Sequence, residues 1–461
     1  MLQLLYGGFR RTVLWALTLS LAFLSASLLC AQTKRDKPKA AANAPTDYRS
    51  QNFYIHTDLS AGDAQDLLER LETMLSIISS YWARPCTGLI ECYVVEDLSH
   101  WPQGTLPEEG LEYVRAGAGV TAITKVSQGG AFLAKSVVYA VADRGTPQHE
   151  AVHAYCGQTF GTTGPVWYSE GMAEMGQYWH KDEWSKSGTA FQSVHIHDVV
   201  LDYLRGSEPK SLSEIVNGEE FTGDSWQNYA WRWALCHLLA NNPNYAPKFR
   251  PLGLALLKKE PTSFEAVYGD MAQEIMFEYR FFIKHLEQGY RADLCSWDWK
   301  RKFRQPKGSA TITAKIKADR GWQPSGVIVA AGVNYEYKAA GTWQTAKDGP
   351  PLSGDGGKNA GGKETGGEET GGKETGGKET GEKDAGGKGD GAGRLMGVVM
   401  NMADYQLGEP IELGAGGSFK APADGQLYLR CRDKWGELAD NKGTLTVKLK
   451  ASAKKSNESA D

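Results

Sequence analysis

The chain of 461 residues reads as a multidomain protein, an α+β domain followed by an all-β sandwich. Three observations carry this. Between about residues 49 and 292, a few strand-like runs lead into helical stretches with apolar residues at helical spacing. From Ala310 the apolar residues alternate in short runs separated by turn residues, the pattern of a sandwich. Between the two, residues 293–308 hold no sustained period, are rich in Trp and basic residues, and read as a linker. The length suits two domains or more.

Composition narrows the function. Hydrophobic residues make up 41% and charged residues 23%, ordinary for globular protein. A net charge of -4, with no basic patch interleaved with aromatics, excludes a nucleic-acid partner. Residues 1–31 read as a signal peptide: Arg10-Arg11 precede an apolar run from Thr12 to Leu29, and Ala31 suits cleavage. Export to the periplasm, the cell surface or the medium follows. Three variants stay open: a twin-arginine signal, lipidation at Cys30 (where Leu29 fits poorly), and an uncleaved anchor. A membrane is otherwise no partner. Export permits disulfides. Of six cysteines beyond the leader, Cys86 and Cys92 could close a small loop, whereas Cys156 and Cys236 sit in apolar helices and read as buried thiols. No spacing suggests a zinc ribbon.

The elements follow in order. Residues 32–48, rich in Lys, Ala and Pro, read as a linker. Phe53–Thr57 alternates as a strand. Ser60 caps a helix from about Ala61 to Trp82, with Leu67, Leu68, Leu71, Met74, Leu75 and Ile78 on one face. Leu89–Val95, Val120–Ile123 and Ser136–Ala142 are further strands. Thr146-Pro147 reads as N-cap and first helical residue, with Gly157 as the helix end. Pro165 opens the next helix. Beyond Glu174 the chain is mostly helical, with an aromatic stripe over Asp224–Ala240 that reads as core, then helices through Phe264–Gln288.

The helix after Pro147 carries the chemistry. In His149-Glu150-Ala151-Val152-His153 the two histidines are four apart and share a face, so both can reach one metal ion. Glu170 on the next helix supplies a third ligand. Two imidazoles and one carboxylate leave zinc an open position, as in catalytic rather than structural sites. Glu150 stands beside that position. The bland alternative is a helix with two surface histidines.

The runs HEAVH and Pro165-Val-Trp-Tyr-Ser-Glu-Gly-Met-Ala-Glu174 resemble the gluzincin branch of HExxH metallopeptidases, over about residues 49–290. The resemblance implies a zincin-like fold: a mixed sheet, the HExxH helix and a helical C-terminal subdomain. It implies zinc ligands at His149, His153 and Glu170, a general base at Glu150 and a residue orienting a ligand at Glu174, where better-known members carry Asp. Such domains often carry a tyrosine that donates to the oxyanion. Tyr229 is the candidate, with His237 and Tyr168 as rivals. They also pair extended substrate with a sheet edge. Ser136–Ala142 is either that edge or an ordinary buried strand.

In the C-terminal half, strands are expected at Ala310–Ile316, Gly326–Ala331, Tyr335–Ala340, Leu395–Met402, Gln426–Arg430 and Gly443–Leu449. The runs around Gly326-Val-Ile-Val, Ala339–Trp343, Arg394–Val399, Gly425–Asp433 and Asp440–Val447 resemble the calcium-dependent galactophilic lectins. That implies a lectin-like β-sandwich over 309–450. It implies calcium at Asp433, Asp440, Asn441 and the Glu437 carbonyl, with sugar hydroxyls completing the shell. Asp-Asn-x-Gly is equally a good turn. After the Trp343 strand comes an insert, residues 350–393, repeating Gly-Gly-Lys-Glu-Thr. With almost no apolar residue it is expected to be disordered, as is the tail 451–461.

Together these readings predict an exported zinc metallopeptidase that hydrolyses peptide bonds, with a C-terminal carbohydrate-binding-type module. Zinc and calcium are the expected ions, and peptides or proteins, glycans or glycoproteins the expected partners. The alternative is a non-catalytic lectin-like surface binding protein on a metal-binding peptidase scaffold. A third is a hydrolase of other carbonyl substrates.

Overall fold

In the computed structural model the described residues are 44–128, 131–143, 145–180, 196–218, 225–357 and 391–452. The leader, most of the first linker, most of the glycine-rich insert and nearly all of the tail lie outside them. The described residues form a mixed α/β protein of several sheets and ten helices. They divide into two compact units, one up to Thr162 and one from Thr163.

The first unit is built on a five-stranded sheet. Its strands are β1 (Thr46–Arg49), β2 (Phe53–Thr57), β3 (Ile90–Val95), β4 (Gly119–Gln128) and β5 (Ala131–Val141), in the order β1-β2-β3-β5-β4. β2, β3 and β5 run parallel, and β1 and β4 close the two edges antiparallel. β1 lies at the end of the stretch that composition marks as linker. It is short and polar, so no pattern announces it; pairing with β2 creates it.

Helix α1 (Ala61–Trp82) forms where its apolar spacing places it, and Ser60 caps it by accepting from the Asp63 amide at 3.2 Å. Leu67, Leu71, Met74 and Ile78 are buried on its inner face. Each such side chain stabilises by about 1.5–3 kcal/mol relative to exposure. Helix α2 (Glu108–Arg115) and helix α3 (Thr146–Phe160) take opposite faces of β5, as the strand's alternation requires. Ser136 donates to the Ala154 carbonyl of α3 at 3.1 Å, whereas Tyr139 lies against Gly110 of α2.

Four expectations for this unit are corrected. Ser136–Ala142 is no edge: β5 is paired on both sides, and β4 is the edge. Nor does Gly157 end α3. It sits inside the helix, where an added Cβ would meet Ile123 Cδ1 at 2.5 Å, and the helix runs on to Gly161 at φ 75°. The capping at the start also shifts, because Asp143 accepts from the Thr146 amide at 2.6 Å and the Thr146 hydroxyl at 2.8 Å. All six described cysteines are free thiols, so the Cys86–Cys92 loop is not closed.

The second unit begins with helices α4 (Val166–Gln177), α5 (Asp198–Gly206), α6 (Leu212–Val216), α7 (Trp226–Asn241), α8 (Ala246–Leu257), α9 (Phe264–Tyr268) and α10 (Ala272–His285). α4 and α7 cross closely at Gly171, where a Cβ would meet Cys236 Sγ at 2.4 Å and the Arg232 carbonyl at 2.7 Å. Trp231 and Trp233 of the aromatic stripe are buried, as core.

Two sheets follow. Strands β6 (Ile312–Lys317), β8 (Asn334–Gln344), β12 (Gly416–Lys420) and β14 (Lys442–Ala451) form one, in the order β12-β8-β14-β6. Strands β7 (Gln323–Val329), β9 (Leu395–Asn401), β10 (Gln406–Leu407) and β13 (Gly425–Cys431) form the other, with β11 (Ile411–Glu412) paired to β9. Ile316, Val327, Trp343, Leu427, Leu429 and Leu445 belong to one buried cluster. β9 is buried on both faces, because Met396, Val398 and Met400 meet Phe277, Phe281 and Trp297.

Residues 293–307 are thereby fixed in place. Trp297 is buried, and its ring lies 4.5 Å from that of Tyr428 and 4.9 Å from that of Phe277. Beside it the Glu278 carboxylate accepts from the Tyr245 hydroxyl (2.7 Å), Trp299 Nε1 (2.7 Å), Asn244 Nδ2 (3.0 Å) and Asn242 Nδ2. Even so, burial pushes this carboxyl up to about 7.

Candidate metal centre

His149 and His153 project from one face of α3, one turn apart, with Nε2 atoms 3.1 Å from each other. At that distance one neutral ring can donate its Nε2–H to the other, whereas two protonated rings would repel. The spacing also suits two ligands of one cation, since zinc–nitrogen bonds of about 2.0–2.1 Å bring tetrahedral ligand atoms to about this distance. Ligand atoms of His149, His153 and Glu170 all lie within 4.8 Å of one another, so this group could hold a metal ion. Among the described residues it is the only such group of histidine, cysteine and carboxylate side chains. Glu170 is 1% exposed.

Glu150, between the histidines in sequence, is 7% exposed. The Thr121 hydroxyl of edge strand β4 lies 2.8 Å from Glu150 Oε2 and 2.9 Å from its backbone carbonyl. Gly119 leaves room for the carboxylate, because a Cβ there would stand 2.8 Å from Glu150 Cγ. Sequence reasoning missed both residues. A threonine in a strand carries no periodic or motif signal, and only the β4–β5 register brings it under α3.

Glu174, one turn after Glu170, is buried and accepts a hydrogen bond from Tyr178. Burial first, and then this carboxylate, hold the Tyr178 phenol well above its ordinary range. Tyr229 lies in the first turn of α7, half-buried, with the Arg232 guanidinium 5.6 Å from its ring centre. Its two rivals are packed into the second unit. The Tyr168 ring lies against Gly253 and 5.7 Å from Phe249. His237 is 1% exposed and stacks on Phe282 at 5.6 Å; burial lowers its pKa to about 4. It is a core histidine.

Among the C-terminal strands, Asp433 precedes and Asn441 follows a 3-10 turn, Trp435–Asp440, between β13 and β14, and Asp440 is its last residue. Asp433 Oδ2 and Asn441 Oδ1 are both buried with no hydrogen-bond partner among the described residues. Burial raises the Asp433 carboxyl, and the neighbouring Asn441 side chain is the largest opposing influence. Asp440 Oδ2 accepts from the Lys347 amide at 3.2 Å, and the Glu437 side chain is tied to Lys434 at 2.9 Å. Gly436, inside the turn, donates its amide to Glu287 at 2.5 Å.

No family model matches the chain, and no curated protein does. Among solved structures it is similar to one titled "EclA N-terminal domain; PllA-like lectin". That likeness has 18% identity and a TM-score of 0.21, covering 30% of this chain and 95% of the other. A second is titled "IMPa metallopeptidase in complex with T-antigen", at 11% identity and a TM-score of 0.16. There the likeness covers 82% of this chain and only 38% of the other's length. Scores this low do not establish a shared fold.

Proposed function

We propose that the chain is an exported zinc-dependent metallopeptidase of gluzincin type, carrying a lectin-like C-terminal sandwich as a carbohydrate-binding module. The observation that carries the reading is the convergence of His149, His153 and Glu170, with Glu150 anchored by Thr121 alongside. His149 Nε2, His153 Nε2 and a Glu170 carboxylate oxygen would hold zinc. When bound, zinc supplies Lewis acidity toward a carbonyl and lowers the pKa of water.

The remaining work falls to the chain's own side chains. Glu150 accepts a proton from the attacking water and passes it to the leaving amine, its carboxylate steered by the Thr121 hydroxyl. Glu174 orients a ligand. Tyr229 is the candidate donor to the developing oxyanion, a role a phenol fills without changing charge. Of the two sheet edges, β4 is the one that carries Thr121 beside Glu150, so extended peptide would pair there.

In the sandwich, Asp433 and Asn441 offer oxygens with unmet bonding capacity, which suits a hard cation such as calcium, with Asp440 beside them. Glycan held there would raise the local concentration of glycoprotein substrate.

A peptide-library digest of wild type and Glu150→Gln tests the proposal. The expected result is cleavage by wild type and a loss of about 10²–10⁴-fold in the variant, at equal zinc content. Full zinc with equal or absent cleavage in both proteins would instead point to a binding scaffold.

A further inference from the structure

A second concave site lies in the unit that begins at Thr163. It is a crevice of about 680 Å³ between α10 and the turn 403–407 that joins β9 to β10. That volume suits a small ligand. Gln273, Phe277, Arg280 and Lys284 recur every three or four residues along α10, so one helix face forms a wall. The opposite wall holds Asp404, Tyr405 and Gln406. The Phe277 and Tyr405 rings stand 6.2 Å apart.

The lining is mixed in a telling way. Arg280 is exposed and makes no ion pair among the described residues. Asp404, the one carboxylate of the lining, has its Oδ1 accepting from the Gln406 amide at 3.2 Å. His285, at the rim, adds no charge near neutrality, since burial drives its pKa to about 3. A purely apolar occupant would strip water from two amides and a carboxylate without replacing it. A ring bearing hydroxyls satisfies those groups and still covers the half-buried Tyr405 ring. An anionic substituent then answers Arg280, whose planar fork fits a carboxylate.

We propose that this crevice binds a carboxylated saccharide, with the sugar ring against Tyr405, its hydroxyls toward Gln273 and Gln406, and its carboxylate on Arg280. This site is separate from the metal centre and from the Asp433–Asn441 turn, and it needs no cation.

Calorimetric titration of the full chain in EDTA tests this, with galacturonate oligomers and sialyllactose as probes, and lactose and pentaglutamate as controls. Saturable binding of at least one acidic saccharide but neither control is expected. Arg280→Gln is expected to weaken that binding about tenfold at an unchanged melting temperature, since the side chain is exposed. Gln273→Ala is a second exposed-face variant with the same expected direction. The proposal is overturned if no acidic saccharide binds in EDTA, if lactose or pentaglutamate binds as well, or if both variants leave affinity unchanged.

Discussion

At the scale of single residues, Thr121 and Glu150 set the terms. A general base works only if its carboxylate points at the proton it must take, and a buried glutamate has rotamers that point elsewhere. The Thr121 hydroxyl, shared between Glu150 Oε2 at 2.8 Å and the Glu150 backbone carbonyl at 2.9 Å, restricts that freedom. Thr121→Val keeps the shape and deletes the hydrogen bond. We expect kcat to fall about tenfold, less than for Glu150→Gln, with zinc content unchanged. Equal kcat in Thr121→Val and wild type would mean that something else aims the carboxylate. Glu170→Ala differs in kind. It removes the carboxylate from the ligand group, so bound zinc itself should fall below one equivalent on dialysis.

At the scale of elements, close approach decides more than propensity. α4 and α7 meet at Gly171, where any side chain runs into Cys236 Sγ and the Arg232 carbonyl. Gly171→Ala is expected to cost about 1–3 kcal/mol by overpacking, read as a lower urea midpoint at unchanged slope. An unchanged midpoint would mean that the helices can separate freely there.

The same physics explains what was legible in the sequence. α1 and β2 stand where periodicity puts them, because each buries one face and its side chains declare which. The pair His149 and His153 was legible because helix geometry converts a spacing of four into one face. Gly157 was misread as a helix end. A glycine needed for contact with Ile123 looks, in sequence, like a glycine needed for a turn. The edge position of β4 and the partnership of Thr121 were not legible, since strand order and register are long-range choices. Likewise β9 shows no alternation because both its faces are covered, and only tertiary structure reveals the second cover.

At the scale of the whole molecule, Glu278 gathers donors from the end of α7, the start of α8 and residues 297–299, beside the Trp297 side chain that lies on Tyr428 of the sandwich. Its folded pKa of about 7 stands above the ordinary carboxylate value of 4.5. The folded state therefore binds more protons than the unfolded state between those values. The favourable contribution is complete below about pH 4.5 and is lost as pH rises through about 7, about 3 kcal/mol in all. Glu278→Gln removes this dependence. The difference in unfolding free energy between wild type and variant should slope with pH only in that window, and parallel pH profiles would rule the buried-carboxylate account out.

The central claim is that His149, His153 and Glu170 hold a single zinc ion. Zinc-edge X-ray absorption on the purified chain, beside a zinc assay of Glu170→Ala, tests it most directly. The account predicts one equivalent of zinc bound by two imidazole nitrogens and a carboxylate oxygen, with no sulfur, and loss of that signal in the variant. Zinc absent from the wild type, or held as tightly after Glu170→Ala, would contradict it.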